Sequence, residues 1–435
     1  MKHSPTPLNV AVIGGGYAGM AAAVTLAASG IPVTVYESAK QLGGRARGVL
    51  RNDTQLDNGQ HIMLGCYHHT LRLITQVGGN IAADFLRLPL QLTLHDHFEL
   101  KAPRLPAPLH LLAGLVGAHG ITLAHRLRAA RFMLAMRHNK FKLLTDITAA
   151  DLLTQYQQDA QLVRLLWEPL CIAALNTPLT KASAQVLLNV LRDSLNGARA
   201  DSDMLLPRLD FSALFPNRAA TFVQKQGGSV LTSCAVESIA SHGDGITLHT
   251  TQGAHTYRHV ICAATPATAA RLLCSLPQLV AVADQIEAIA YQPIYTVYLQ
   301  YSANVELPQA MLGLDRCFTQ WLFDKGRIAG QHGLIAAVIS AEGQHQELDH
   351  EQLAQKVAQE LREQLGIVEM PLWHQVIAEK RATFACVPNL SRPAHTTALP
   401  GLFLAGDYTA GDYPATLEGA VMSGVRCAEK IMNAV

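Results

Sequence analysis

Hydrophobic positions first cluster in Val10-Ala-Val-Ile13, and the next apolar stretch, Ala18 to Ala28, is separated from them by three glycines. A short continuous apolar run closed by glycine predicts a buried strand, and the longer run predicts a helix packed on it. Val33-Thr-Val-Tyr36 predicts a second strand, which ends on the acid Glu37. Residues 105–200 read as a helical block. A strand-rich return follows, from Gly227-Gly-Ser-Val230 to Val260-Ile-Cys-Ala-Ala-Thr-Pro266. Tyr291-Gln-Pro-Ile-Tyr-Thr-Val-Tyr-Leu299 and Gly333-Leu-Ile-Ala-Ala-Val-Ile-Ser340 predict an antiparallel sheet, followed by a helix from His350 to Leu365. Residues 402–433 predict a strand and a long helix. The pattern predicts an α/β chain whose Rossmann-like nucleotide domain is discontinuous, built from residues 8–90, 205–280 and 395–435. An inserted α+β substrate domain takes residues 91–204 and 281–394.

The glycine spacing carries the first chemistry. Gly14 lets the chain leave its strand tightly, Gly16 removes a side chain where a pyrophosphate must touch backbone, and Gly19 lets the helix approach the sheet. The helix N-terminus then offers free N–H groups and partial positive charge to phosphate. Glu37, eighteen residues after Gly19, is placed to accept both hydrogens of an adenosine ribose diol, and it disfavours a 2′-phosphate. A glycine turn alone is a weak signal, but here strand, helix and acid surround it.

Two further segments bear on which dinucleotide is bound. In Gln41-Leu-Gly-Gly-Arg-Ala-Arg47, Gly43 and Gly44 allow a second close approach and Arg45 offers a forked donor to phosphate. In Leu402-Phe-Leu-Ala-Gly-Asp-Tyr408, a buried strand leads to Gly406 and to Asp407, suited to a ribityl hydroxyl or a pyrophosphate-bound water. Pro414-Ala-Thr-Leu-Glu-Gly-Ala-Val421 predicts a helix start, with Ala415 and Thr416 at the pyrimidine edge of a flavin. Together these segments resemble the FAD-binding pattern of the flavin amine oxidase and phytoene desaturase superfamily. That resemblance implies FAD as cofactor, Gly59 passing against the flavin ring, and Val236 holding adenine through its backbone. Gln41 departs from the superfamily, where an arginine is common. Cys427 lies too far into the last helix for covalent flavin attachment.

Composition narrows the class. The 435 residues are 49% hydrophobic and 15% charged, enough to bury a large core. A net charge of +1 gives no global case for nucleic acid. Eight cysteines without a CxxC pair predict reduced thiols in a cytoplasmic protein and no metal site. Met1-Lys-His-Ser-Pro-Thr-Pro7 does not read as a signal peptide, and prolines break the apolar stretch 105–123 too often for a spanning helix. From Lys101 to Thr145 there are eight Lys and Arg and no Asp or Glu, interleaved with Leu, Phe and Met. That segment reads either as a peripheral membrane contact on the inner face of the cytoplasmic membrane or as a solvated basic face over an apolar core.

A finer resemblance covers nearly the whole chain. Leu56-Asp-Asn-Gly-Gln-His-Ile-Met-Leu-Gly-Cys-Tyr67 is similar to the signature of the hydroxysqualene dehydroxylases, FAD-dependent enzymes of bacterial squalene and hopanoid synthesis. So are Leu166-Trp-Glu-Pro-Leu-Cys-Ile-Ala-Ala-Leu-Asn-Thr-Pro178, Ala200-Asp-Ser-Asp-Met-Leu-Leu-Pro207, Gln320-Trp-Leu-Phe-Asp324 and Tyr413-Pro-Ala-Thr-Leu-Glu-Gly-Ala-Val-Met-Ser-Gly424. The resemblance implies removal of an allylic hydroxyl from an isoprenoid lipid, with synthases of the same pathway as neighbours. Such chemistry needs a hydride, a group that helps the hydroxyl leave, and a long apolar tunnel. His61 is the first candidate for assisting the hydroxyl, with Gln60 beside it; a structural histidine bonded to backbone is the alternative. Glu168, as a carboxyl in an apolar pocket, is the second candidate. Another desaturase or an amine oxidase of the same fold remains open, although amine oxidation predicts an aromatic pair and only Tyr408 and Tyr413 are within reach. A third reading, a non-enzymatic relative that binds prenylated proteins, gives little reason to keep both the pyrophosphate clamp and the flavin-facing helix.

Overall fold

The computed structural model describes residues 9–242 and 245–434. The N-terminal heptapeptide, and the outermost bounds 8 and 435 of the nucleotide segments, lie outside the described residues. Five parallel strands form one sheet in the order Ser229–Leu231, Val33–Tyr36, Val10–Ile13, His259–Cys262, Leu402–Leu404. All four residues of the Val10–Ile13 strand are buried, as expected of a central parallel strand covered on both faces. The helix Tyr17–Ala28 follows the glycine turn, one residue longer at its start than expected, and Leu417–Met432 packs beside it. Their contact is backbone on backbone. A Cβ on Gly424 would lie 2.0 Å from the Ala18 carbonyl oxygen.

The second large sheet has seven strands and is mixed. It runs Trp373–Phe384, Tyr291–Gln300, Leu334–Ser340, Trp321–Asp324, Met311–Gly313, Gln91–Leu94, Phe98–Lys101. The antiparallel expectation holds within residues 291–384. It fails where Gly313 pairs in parallel with Leu94, because there the sheet recruits a hairpin from the earlier part of the chain. The helix His350–Leu365 spans the expected residues, capped by Asp349 and ended by Gly366 at φ 68°.

Helices Leu109–Val116, Leu123–His138, Glu168–Leu175 and Ala184–Leu195 lie between these sheets in sequence. No helix among the described residues is long and apolar enough to cross a membrane. All eight cysteines are free.

Candidate active site

A single cavity of about 890 Å³ runs from the glycine turn into the space between the mixed sheet and the helices. Its size lies toward the upper end of ordinary ligand sites, roughly 300–1,000 Å³. Gly14, Gly16, Glu37, Gly43, Gly44, Arg45, Gly59, Gln60, His61, Val236, Gly406, Asp407, Ala415 and Thr416 all lie on its wall. Residues from Gly14 to Thr416, nearly the two ends of the chain, therefore converge on one space.

The nucleotide end is built by the turn. Gly14 has φ 105°, and a Cβ there would sit 2.6 Å from the Ala263 carbonyl oxygen. Gly19 is off the wall; its Cβ would lie 1.9 Å from the Gly14 carbonyl oxygen, so its role is to seat the helix on the turn. Gly16 differs, since a Cβ there would meet nothing closer than 3.7 Å and the position faces the cavity. Glu37 is buried at the end of its strand and accepts from the Gly15 and Ala39 N–H groups, each at 2.7 Å. The oxygen bonded to Ala39 also accepts from the Ser38 hydroxyl at 3.2 Å, so the oxygen bonded to Gly15 is the one that keeps acceptor capacity. Ser38, Ala235 and Arg271 complete this end.

Arg45 and Asp407 meet each other. The guanidinium donates to the Asp407 carboxylate at 2.5 Å and to the Ala382 carbonyl at 2.8 Å. Burial opposes the Arg45 charge, but Asp407 outweighs it and the net shift is upward. Nearby, the hydroxyls of Tyr291 and Tyr408 are buried without a partner, two polar atoms left for a ligand to satisfy. Gln41 is turned to Ser212 Oγ at 3.1 Å.

The long terminal helix does not begin at Pro414 or Ala415. It begins at Leu417, because Thr416 Oγ1 accepts from the Gly419 N–H at 3.1 Å and caps the first turn. Tyr413 to Thr416 instead form a non-helical strip of the cavity wall.

The loop Asp57–His61 is held on every side. Tyr298 bonds the Asp57 backbone, the Gln60 N–H donates to Thr296 Oγ1 at 3.2 Å, and Gly59 takes φ 101°. His61 Nδ1 lies 2.8 Å from the Gly59 carbonyl, which can only accept, so Nδ1 carries the hydrogen and neutral Nε2 presents a lone pair. Burial holds the imidazole below its ordinary value, outweighing the Gly59 bond. The Gln60 side chain donates to the His61 carbonyl at 3.0 Å and accepts from Lys325 Nζ at 3.2 Å. Lys325 is buried. Burial pushes its ammonium down, partly offset by Asp57 and Asp210. Asp57, bonded to the Phe211 N–H at 2.9 Å, is pushed up to about 6 by burial, with Lys325 pulling the other way. Lys325 was missed in the sequence, where nothing near residue 325 points to residue 60.

Glu168 is not part of the site. The residue is exposed and off the cavity wall, although partial burial of its carboxyl, with Asp315 nearby, still pushes it above the ordinary value as expected. The cause is the wide turn Val163–Trp167, which buries Leu165, Leu166 and Trp167 in succession and leaves the next position outside. Trp167 is core, bonded to Gln158 Oε1 at 2.9 Å. Trp321 lines the cavity, whereas Asp324 caps a short helix. Cys66 also lines it, with its thiol pushed by burial up to about 12, so it stays protonated.

Beyond His61 the cavity wall turns apolar. Leu170, Leu187, Val190 and Leu191 come from the helices, and Ile294, Met311, Trp321, Phe323, Val338 and Ile377 from the sheet. Asn176, at φ 47°, locks this chamber by bonding Thr383 Oγ1 at 2.8 Å and the Ala341 N–H at 2.6 Å.

The chain resembles known proteins along nearly its whole length. The pattern of the flavin containing amine oxidoreductases matches residues 17–432. A hydroxysqualene dehydroxylase of Sinorhizobium fredii is 27% identical, over 98% of this chain and 99% of that one. A zeta-carotene desaturase of Zea mays is 24% identical, over 98% of this chain and 84% of that one. Among solved structures, cyclohexylamine oxidase from Brevibacterium oxydans superposes with a TM-score of 0.70 at 18% identity, covering 99% of each chain.

Proposed function

We propose, for a chain that belongs to the flavin-containing amine oxidoreductases and uses FAD as that family does, the reductive removal of an allylic hydroxyl from hydroxysqualene to give squalene. The observation that carries the reading is the apolar chamber that continues from the Gly59–His61 loop, walled by leucine, isoleucine, valine, methionine and aromatic side chains that suit a long hydrocarbon. The full-length similarity to hydroxysqualene dehydroxylases supports it.

The balance is one alcohol, one hydride and one proton in, one hydrocarbon and one water out. Bound FAD, once reduced, supplies the hydride. The chain must do the rest. The N–H groups opening the Tyr17–Ala28 helix and the bare backbone at Gly16 receive the pyrophosphate. The Tyr291 and Tyr408 hydroxyls, buried and unpartnered, are donors for the same cofactor. The leucine-rich wall excludes water from a transition state with allylic cation character. His61 Nε2 accepts from the substrate hydroxyl and so orients it. When Nε2 gains a proton, the imidazolium passes it to the oxygen as the carbon–oxygen bond breaks, and water leaves. Gln60, pinned by Lys325, holds the loop that presents His61.

Anaerobic turnover with dithionite as reductant tests the reading. Squalene detected by chromatography supports it; reduction of the oxidised protein by a polyene or an amine, with no squalene formed, overturns it.

A further inference from the structure

We propose that the helices Leu109–Val116 and Leu123–His138 form a docking surface for an anionic lipid bilayer, and that the apolar chamber is filled from that bilayer. Surface helices ordinarily carry one apolar face, turned inward. Leu123–His138 carries two. His125, Ala129, Phe132 and Met136 are buried on one side, while Leu123, Leu127 and Leu134 are 67%, 49% and 61% exposed. At about 100° per residue those three leucines fall within an arc of roughly 40° on the opposite side. In the preceding helix Leu109, Leu112 and Val116 recur at helical spacing and are exposed as well. Eight of the fourteen exposed large hydrophobic side chains among the described residues lie within 105–144. Exposed apolar side chains concentrated in this way on two successive helices are characteristic of an interaction site.

Charge selects the occupant. Residues 101–145 contain no acid, and Arg104, Arg131, Arg137, Lys140 and Lys142 are exposed without an ion pair among the described residues. The other cations nearby are engaged: Lys101 with Glu99, Arg128 with Asp159, and Arg126 with the Val116 and Ala118 carbonyls. A second copy docking through the same patch would set these five cations against themselves. An anionic membrane satisfies both leucines and cations, with the helices lying in the interface plane.

The inner side of the first helix, and the chain just before it, back onto the chamber wall. His110 Nε2 lies 3.2 Å from Ser202 Oγ, and the Ala102 N–H donates to the Leu90 carbonyl at 2.9 Å; both Ser202 and Leu90 are on the cavity wall. The filling route rests on the proposed isoprenoid substrate, whereas the docking does not.

Holoenzyme is sedimented with phosphatidylglycerol or phosphatidylcholine vesicles, without substrate, at low and high salt. Expected is binding to phosphatidylglycerol at least tenfold above phosphatidylcholine, reduced by salt. Arg131→Gln/Arg137→Gln/Lys140→Gln/Lys142→Gln lowers it about a hundredfold or more, and Leu123→Ser/Leu127→Ser/Leu134→Ser lowers it at least tenfold. Both variants keep wild-type flavin content and wild-type turnover of detergent-dispersed substrate. Equal binding to the two lipids, no binding, or wild-type binding by the charge variant overturns the proposal. So does a wild-type dimer in sedimentation velocity that the leucine variant loses. A protein that binds vesicles but makes no squalene sinks the substrate reading and leaves the docking standing.

Discussion

Gly16→Ala and Gly19→Ala, three residues apart in one turn, separate cofactor binding from folding. At Gly19 the added Cβ would lie 1.9 Å from the Gly14 carbonyl oxygen and 3.1 Å from Val12 Cγ1. The helix must move off the sheet, and overpacking of this kind costs about 1–3 kcal/mol even where neighbours can yield. At Gly16 the φ of −79° suits any residue and the nearest atom is 3.7 Å away. The apoprotein is therefore expected within about 0.5 kcal/mol of wild type. The methyl nevertheless stands where backbone N–H groups must reach phosphate. Losing one or two charge-assisted bonds at about 1.5–3 kcal/mol each gives a loss near 3 kcal/mol, or about a hundredfold in Kd for FAD. Apoprotein melting and FAD titration by flavin fluorescence quenching read the two quantities separately. A Gly16→Ala protein that binds FAD like wild type, or whose apo form melts as low as Gly19→Ala, refutes the assignment of the pyrophosphate to this turn.

His61→Gln is expected to lower turnover about a hundredfold. In wild type the rate rises as pH falls from 8 to 5, since burial keeps the imidazole below 6.5 and only its protonated form donates; a flat profile contradicts the role. Asp57 titrates at about 6 in the fold against 3.8 ordinarily, so its stabilising contribution is full below 3.8 and lost as pH rises through 6. Chemical denaturation from pH 4 to 7 is expected to show this slope, at most about 3 kcal/mol, flattened in Asp57→Asn. Glu168→Gln is expected to leave kcat and KM unchanged, because the residue lies off the cavity wall; a drop above tenfold would return it to the site.

What could be read in advance was local. The strand Val10–Ile13, the glycine turn and the helix His350–Leu365 are each dictated by neighbours within a few residues, so spacing alone fixed them. Pro414 suits a first helical turn, so spacing predicts the start of the last helix early; the Thr416 side chain, a cap that the proline before it masks, sets the start at Leu417. Glu168 failed for a phase reason: one wide turn rotates every later side chain, and no residue type announces it. Lys325 and the parallel pairing of Gly313 with Leu94 exist only through tertiary contact across more than two hundred residues. The leucines of 123–134 were visible as interleaved apolar residues, but their exposure opposite a second buried apolar face was not.

The account depends on hydride passing to an allylic alcohol in the apolar chamber. Stoichiometrically reduced protein, mixed anaerobically with hydroxysqualene, is followed at the flavin absorbance while squalene is quantified. One squalene formed for each flavin reoxidised is the expected result. Flavin that stays reduced, or reoxidises without squalene, contradicts it.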